Sequence, residues 1–138
     1  MEIKKCPMCT RQYTDYPAIS RTRNHEDICQ NCGTAQAMAQ FELATSPTYQ
    51  TRGIAQWAED WGEDAVRFLI NCHKRHIHLD WGDMDEEDLA ANDKALSTGD
   101  RLFSSYDIPD QFDASNDKIW IITEWDRSAT TIMFPSEY

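Results

Sequence analysis

An α+β fold in two parts is what this sequence predicts: a four-cysteine module first, then a small domain of helices and a three-stranded antiparallel sheet. Three observations carry the prediction. Two Cys-x-x-Cys pairs, Cys6-Pro-Met-Cys9 and Cys29-Gln-Asn-Cys32, open the chain; apolar residues recur at three- and four-residue steps from Ile54 to Cys72; and from Leu102 the pattern changes to short β-branched and aromatic runs.

Residues 1–45 form the cysteine module. The 19 residues between the two pairs fall within the spacing of four-thiolate zinc sites. Each short loop offers two sulfurs, and four sulfurs close the tetrahedron that zinc prefers, leaving no position for water. A closed site is structural, because metal replaces the core that ~45 residues cannot build. One Zn2+ is therefore expected on Cys6, Cys9, Cys29 and Cys32. Ala35–Ala44 has helix-forming composition, with Met38 and Phe41 spaced for a face packed on the module.

Residues 46–52 are polar and contain Pro47, so they read as a linker. Within 53–138, a long helix from about Ile54 to Cys72 puts Ile54, Trp57, Trp61, Ala65, Phe68 and Leu69 on one face. Asp85 is placed to cap a third helix, with Glu86, Glu87 and Asp88 in its first turn and Gly99 as its stop. Leu102–Tyr106, Ile119–Trp125 and Thr130–Phe134 supply the three strands, the last two joined by a turn at Asp126-Arg127-Ser128.

Charge divides along the same line. The 138 residues hold 13 Lys+Arg against 24 Asp+Glu, a net of -11, yet residues 1–50 balance five bases against five acids. Tracking a phosphate backbone needs clustered cations. Only Lys4, Lys5, Arg11, Arg21 and Arg23 offer a basic group, so direct DNA binding is not expected. Between Asp80 and Asp117, twelve acids face only Lys94 and Arg101. One use of a stretch so charged is to imitate the phosphate row of DNA and occupy a basic cleft; the other reading is a solvated face. On that use Asp80, Asp83, Asp85, Glu86, Glu87 and Asp88 are the candidate partner-binding set, for a basic protein partner. No stretch approaches the ~18 apolar residues of a membrane span, the start lacks an apolar signal core, and paired free cysteines suit a reducing, cytoplasmic compartment.

Catalytic signals are weak. His73, His76 and His78 offer three ligands for a second, open metal site, which would make a small metal-dependent hydrolase. Their spacing matches no metalloprotease or deaminase pattern, and Lys74 and Arg75 are poor neighbours for a divalent cation. Asp83–Asp88 lacks the glycine and terminal glutamate of a calcium loop. Neither a nucleophile elbow nor a P-loop is present. The expectation is a non-enzyme, with a zinc-dependent nucleic-acid-binding or regulatory module as the alternative and the hydrolase as the second. Cys72 reads as a small buried apolar residue.

A second cysteine pair running directly into a helix resembles the zinc-ribbon and treble-clef modules. The runs Cys-Pro-Met-Cys, Pro-Ala-Ile-Ser-Arg and Asp-Ile-Cys-Gln-Asn-Cys-Gly-Thr-Ala-Gln-Ala are similar to short zinc-ribbon proteins of bacteriophages and other mobile elements of bacteria. The closing Ile-Trp-Ile-Ile-Thr-Glu-Trp-Asp-Arg-Ser-Ala-Thr-Thr-Ile-Met-Phe-Pro-Ser-Glu-Tyr is similar to small plasmid and phage proteins. Small size, zinc and strong acidity together resemble the anti-CRISPR metalloproteins that inhibit Cas9. That resemblance implies a host bacterial cytoplasm and a basic nucleic-acid-binding partner, guide-RNA-loaded Cas9, with Trp81 and Tyr106 as partly buried aromatic contacts and inhibition by blocking target-DNA loading.

Overall fold

Two short hairpins deliver the cysteines. Strand β1 (Lys4–Lys5) pairs antiparallel with β2 (Gln12–Tyr13), and β3 (Ala18–Ile19) with β4 (Asp27–Ile28). The computed structural model describes residues 2–22, 25–112 and 117–138, so Arg23, and Asp113 among the twelve acids counted above, lie outside the described residues. Helix α1 (Gln30–Thr45) begins directly at the second cysteine pair, with Cys29 as its N-cap.

This helix corrects the sequence reading in two ways. It starts five residues before Ala35, and its buried face is Cys32, Gly33, Gln36, Ala39 and Leu43, while Met38 and Phe41 point to solvent. The reason is steric. A Cβ on Gly33 would stand 2.5 Å from that of Ala18, so the small side of the helix lies against the β3–β4 hairpin and the large apolar residues face away.

The expected long helix is broken. Helix α2 (Arg52–Trp61) and helix α3 (Glu63–Ile77) meet at Gly62, whose φ of 71° and ψ of -144° are open to glycine and strained for other residues. Ile54 and Trp57 of α2 and Ala65, Leu69 and Cys72 of α3 still share one core, together with Tyr106, Ile119, Ile121, Ile132 and Phe134. Trp57 takes edge-to-face contacts with Phe112 at 5.1 Å and Phe134 at 6.0 Å. Trp61, expected on the buried face, is 38% exposed beside the break.

The sheet has four strands rather than three. Strands β6 (Leu102–Asp107), β7 (Lys118–Thr123) and β8 (Thr130–Met133) are antiparallel as the pattern predicts, and β5 (Thr48–Gln50) adds to β8 in parallel, giving the order β5-β8-β7-β6. The expected linker at 46–52 is therefore a strand followed by a helix cap, in which the Thr51 hydroxyl accepts the Ile54 amide. All three β5 residues are exposed, so no alternation announced them; backbone pairing with β8 sets the strand. The chain end returns to the same corner, where Glu137 accepts from the Thr51 hydroxyl at 2.6 Å and the Gly53 amide at 3.0 Å.

Helix α4 (Glu86–Thr98) forms as predicted. Asp85 accepts the Asp88 amide at 2.8 Å, and Gly99 closes the other end at φ 76°. Ala95 and Leu96 of α4 share a second core with Leu79, Trp81, Leu102 and, from α1, Ala39 and Leu43. The cysteine module is thus joined to the acidic part through a common apolar layer.

Candidate metal centre and acidic face

Local hydrogen bonding shapes the first cysteine loop. The Cys6 amide donates to Arg11 and the Thr10 amide to Cys6, with Thr10 at φ 65°, which turns Cys9 back toward Cys6. The β3–β4 hairpin and the first turn of α1 then bring Cys29 and Cys32 to the same point. All four Sγ atoms lie within 4.8 Å of one another, and Cys9 and Cys29 are 3.7 Å apart. Zn–S bonds of about 2.3 Å imply tetrahedral sulfur edges of about 3.8 Å, so the spacing fits a metal and is far beyond the ~2.05 Å of a disulfide.

Hydrogen-bond donors point at the sulfurs. The Cys29 amide points at Cys6 Sγ at 3.4 Å, the Cys32 amide at Cys29 Sγ at 3.5 Å, and the Ser97 hydroxyl at Cys32 Sγ at 3.7 Å. Burial opposes ionisation of Cys6, but the amides of Cys29, Cys9 and Met8 outweigh it and bring the thiol down to about 7. At Cys32 burial dominates, the sulfurs of Cys29, Cys9 and Cys6 add to it, and the thiol is pushed up. Four sulfurs crowded this way favour a bound divalent cation that offsets their repulsion.

The histidines do not converge. His76 is fully buried, with Nδ1 against the Ser104 hydroxyl and Nε2 2.8 Å from Thr123 Oγ1, which in turn meets Thr130 Oγ1 at 2.8 Å. Burial, with His73 and Arg127 adding, drives its pKa down to about 3. His73 Nε2 meets Thr48 Oγ1, and His78 Nδ1 meets the Lys74 carbonyl. Among the described residues, the four cysteines are the one group of His, Cys, Asp or Glu close enough to hold an ion. Cys72 is buried as expected, and burial pushes its thiol up to about 12.

The acidic candidates differ in what they hold. Asp80 holds the Arg75 guanidinium at 2.7 and 3.2 Å, and Arg75 also covers the Tyr106 ring. Burial opposes the charge on Asp80, but Arg75 and the Gly82 amide outweigh it and hold the carboxyl below its usual range. Asp83 accepts the Asp107 amide, Asp107 pairs with Lys118 at 3.1 Å, and Asp93 is buried. Asp85, Glu86, Glu87 and Asp88 remain exposed around the first turn of α4. Trp81 and Tyr106 need correcting as partner contacts. They are 2% and 1% exposed, fixed by Trp81 Nε1 to Asp93 at 2.8 Å and by the Tyr106 hydroxyl to the Asp80 carbonyl at 2.7 Å. Aromatic residues beside acids invited a surface reading, whereas each indole or phenol finds its polar partner inside.

What sequence reasoning missed is a group of exposed apolar side chains. Trp125, Phe41 and Met38 are 67%, 65% and 54% exposed. Among the described residues no helix is long and apolar enough to cross a membrane. Compared with protein-family models, curated proteins and solved structures, the chain matches none.

Proposed function

We propose that this chain is a zinc-stabilised, non-enzymatic binding protein that docks on a basic, nucleic-acid-handling surface of a protein partner and blocks nucleic acid from loading there. A guide-RNA-loaded Cas9-type nuclease in a bacterial cytoplasm is the partner we assign. One observation carries the reading: the exposed Asp85, Glu86, Glu87 and Asp88 crown a helix whose other end packs on the cysteine centre, in a chain of net charge -11. Four sulfurs fill the coordination of zinc, so the metal is structural and supplies no water for chemistry. Two hairpins followed by a helix that starts at the second cysteine pair support a zinc-ribbon or treble-clef-like module.

Competition tests it. Guide-loaded Cas9-type nucleases are assayed for binding of labelled target DNA with and without excess protein at two salt concentrations. The expected result is loss of DNA binding that weakens as salt rises, without binding of the protein to free DNA. Unchanged DNA loading across the panel contradicts the reading, and binding to free DNA moves it to the nucleic-acid module.

A further inference from the structure

Long-range charge brings a basic partner close, but tight association needs aromatic and arginine contacts at the centre of the interface. With Trp81 and Tyr106 inside the core, other side chains must provide them. Trp125 stands at the tip of the β7–β8 turn and borders a cavity of about 350 Å3 between that turn, α1 and the end of α4. Met38 and Glu42 form the α1 side, and Phe41 extends the apolar strip on the outward flank of the helix.

The turn that carries the indole is ordered by its own hydrogen bonds. The Glu124 amide donates to Ala129 at 3.0 Å, the Arg127 amide to Glu124 at 2.9 Å, and the Ser128 amide to the Asp126 carboxylate at 3.1 Å. Behind the turn, the Arg127 guanidinium donates to the carbonyl of Asp100 at 2.7 Å and also to those of Glu124 and Ala95, anchoring the tip to the end of α4. The one cation lining the groove is thereby engaged by carbonyls, and two carboxylates, Glu42 and Asp126, line the groove with it. An exposed tryptophan with its turn already ordered loses little freedom on binding.

We infer that this groove anchors an arginine-bearing segment of the basic partner, with the guanidinium over the Trp125 indole and between Glu42 and Asp126, and its aliphatic stem on Met38. Arginine fits better than lysine, because its planar and weakly hydrated cation stacks on an aromatic face. A second copy of a chain with charge -11 is repelled, as is a phosphate backbone. The inference rests on the proposed basic partner and names its anchor.

The test uses the full zinc-loaded chain and two fluorescein-labelled twelve-residue peptides, one alternating arginine with leucine and one alternating lysine with leucine, near 0.15 M salt. Expected are binding of the arginine peptide at least threefold tighter than the lysine peptide, and a loss of tenfold or more in Trp125→Ala that Trp125→Phe largely restores. Neutralising Asp85, Glu86, Glu87 and Asp88 together, which lie on another turn of the molecule, is expected to weaken the peptide by less than threefold at this screening length. Equal binding by Trp125→Ala overturns the inference, as does no binding of either peptide. Self-association in sedimentation that Trp125→Ala abolishes overturns it in favour of a second copy. If the wild-type protein still displaces target DNA in any of these cases, the groove assignment falls alone; if displacement is also absent, both fall.

Discussion

The Ser97 hydroxyl donates to Cys32 Sγ across 3.7 Å, tying the last turn of α4 to the cysteine centre. The acidic helix and the four cysteines are therefore one mechanical unit, reinforced where Leu43 and Ala39 of α1 meet Leu96 and Ala95 of α4. Removing the metal is expected to unfold the two N-terminal hairpins and expose the α1–α4 contact, seen as fast amide exchange at Ala39 and Leu43. Ser97→Ala keeps the fold but weakens metal retention about tenfold against a chromophoric chelator, as loss of an outer hydrogen bond to a ligand does.

Gly82 is a point of close approach. At φ 84°, a Cβ there would lie 2.1 Å from the Ser105 carbonyl oxygen and 2.6 Å from the Tyr106 ring. Gly82→Ala is expected to cost about 3 kcal/mol or more in urea unfolding. Gly99→Ala, at φ 76° with open space around it, costs only about 1 kcal/mol. Equal effects at the two sites would contradict the packing described.

Asp93 is a buried acceptor rather than a surface charge. Asp93→Ala leaves Trp81 Nε1 without its 2.8 Å partner and is expected to destabilise the protein by about 1–3 kcal/mol. Asp93→Asn keeps an acceptor oxygen in place and loses less. Chemical denaturation of the pair distinguishes the two roles.

His76 gives a pH dependence of known sign. Its folded pKa, driven down to about 3, lies below the ordinary histidine value of about 6.5. Between those values the unfolded chain takes up a proton that the folded chain refuses, so this contribution is present above about pH 6.5 and is lost as pH falls toward 3. From about pH 7 to 5.5 the expected loss is roughly 1–1.5 kcal/mol, measured in excess zinc. His76→Gln is less stable throughout, and its slope over that range is shallower.

Much of the architecture was legible because local chemistry dictated it. Asp85 and Gly99 bracket α4 as a cap and a left-handed stop must, the cysteine spacing brought four sulfurs together, and β-branched and aromatic runs marked β6, β7 and β8. The failures share a cause. Gly62 breaks an otherwise continuous apolar stripe, β5 is set by pairing with a strand some 80 residues away, and Met38 and Phe41 face out because Gly33 lies against Ala18. Trp81 and Tyr106 were misplaced for the same reason, since their partners Asp93 and the Asp80 carbonyl are visible only in three dimensions.

A single closed four-thiolate centre beneath the acidic helix is the claim on which the rest depends, and native mass spectrometry of the reduced protein tests it most directly. The account predicts one zinc ion per chain, lost in Cys9→Ser. No bound ion, or two ions per chain with the second surviving that substitution, would contradict it.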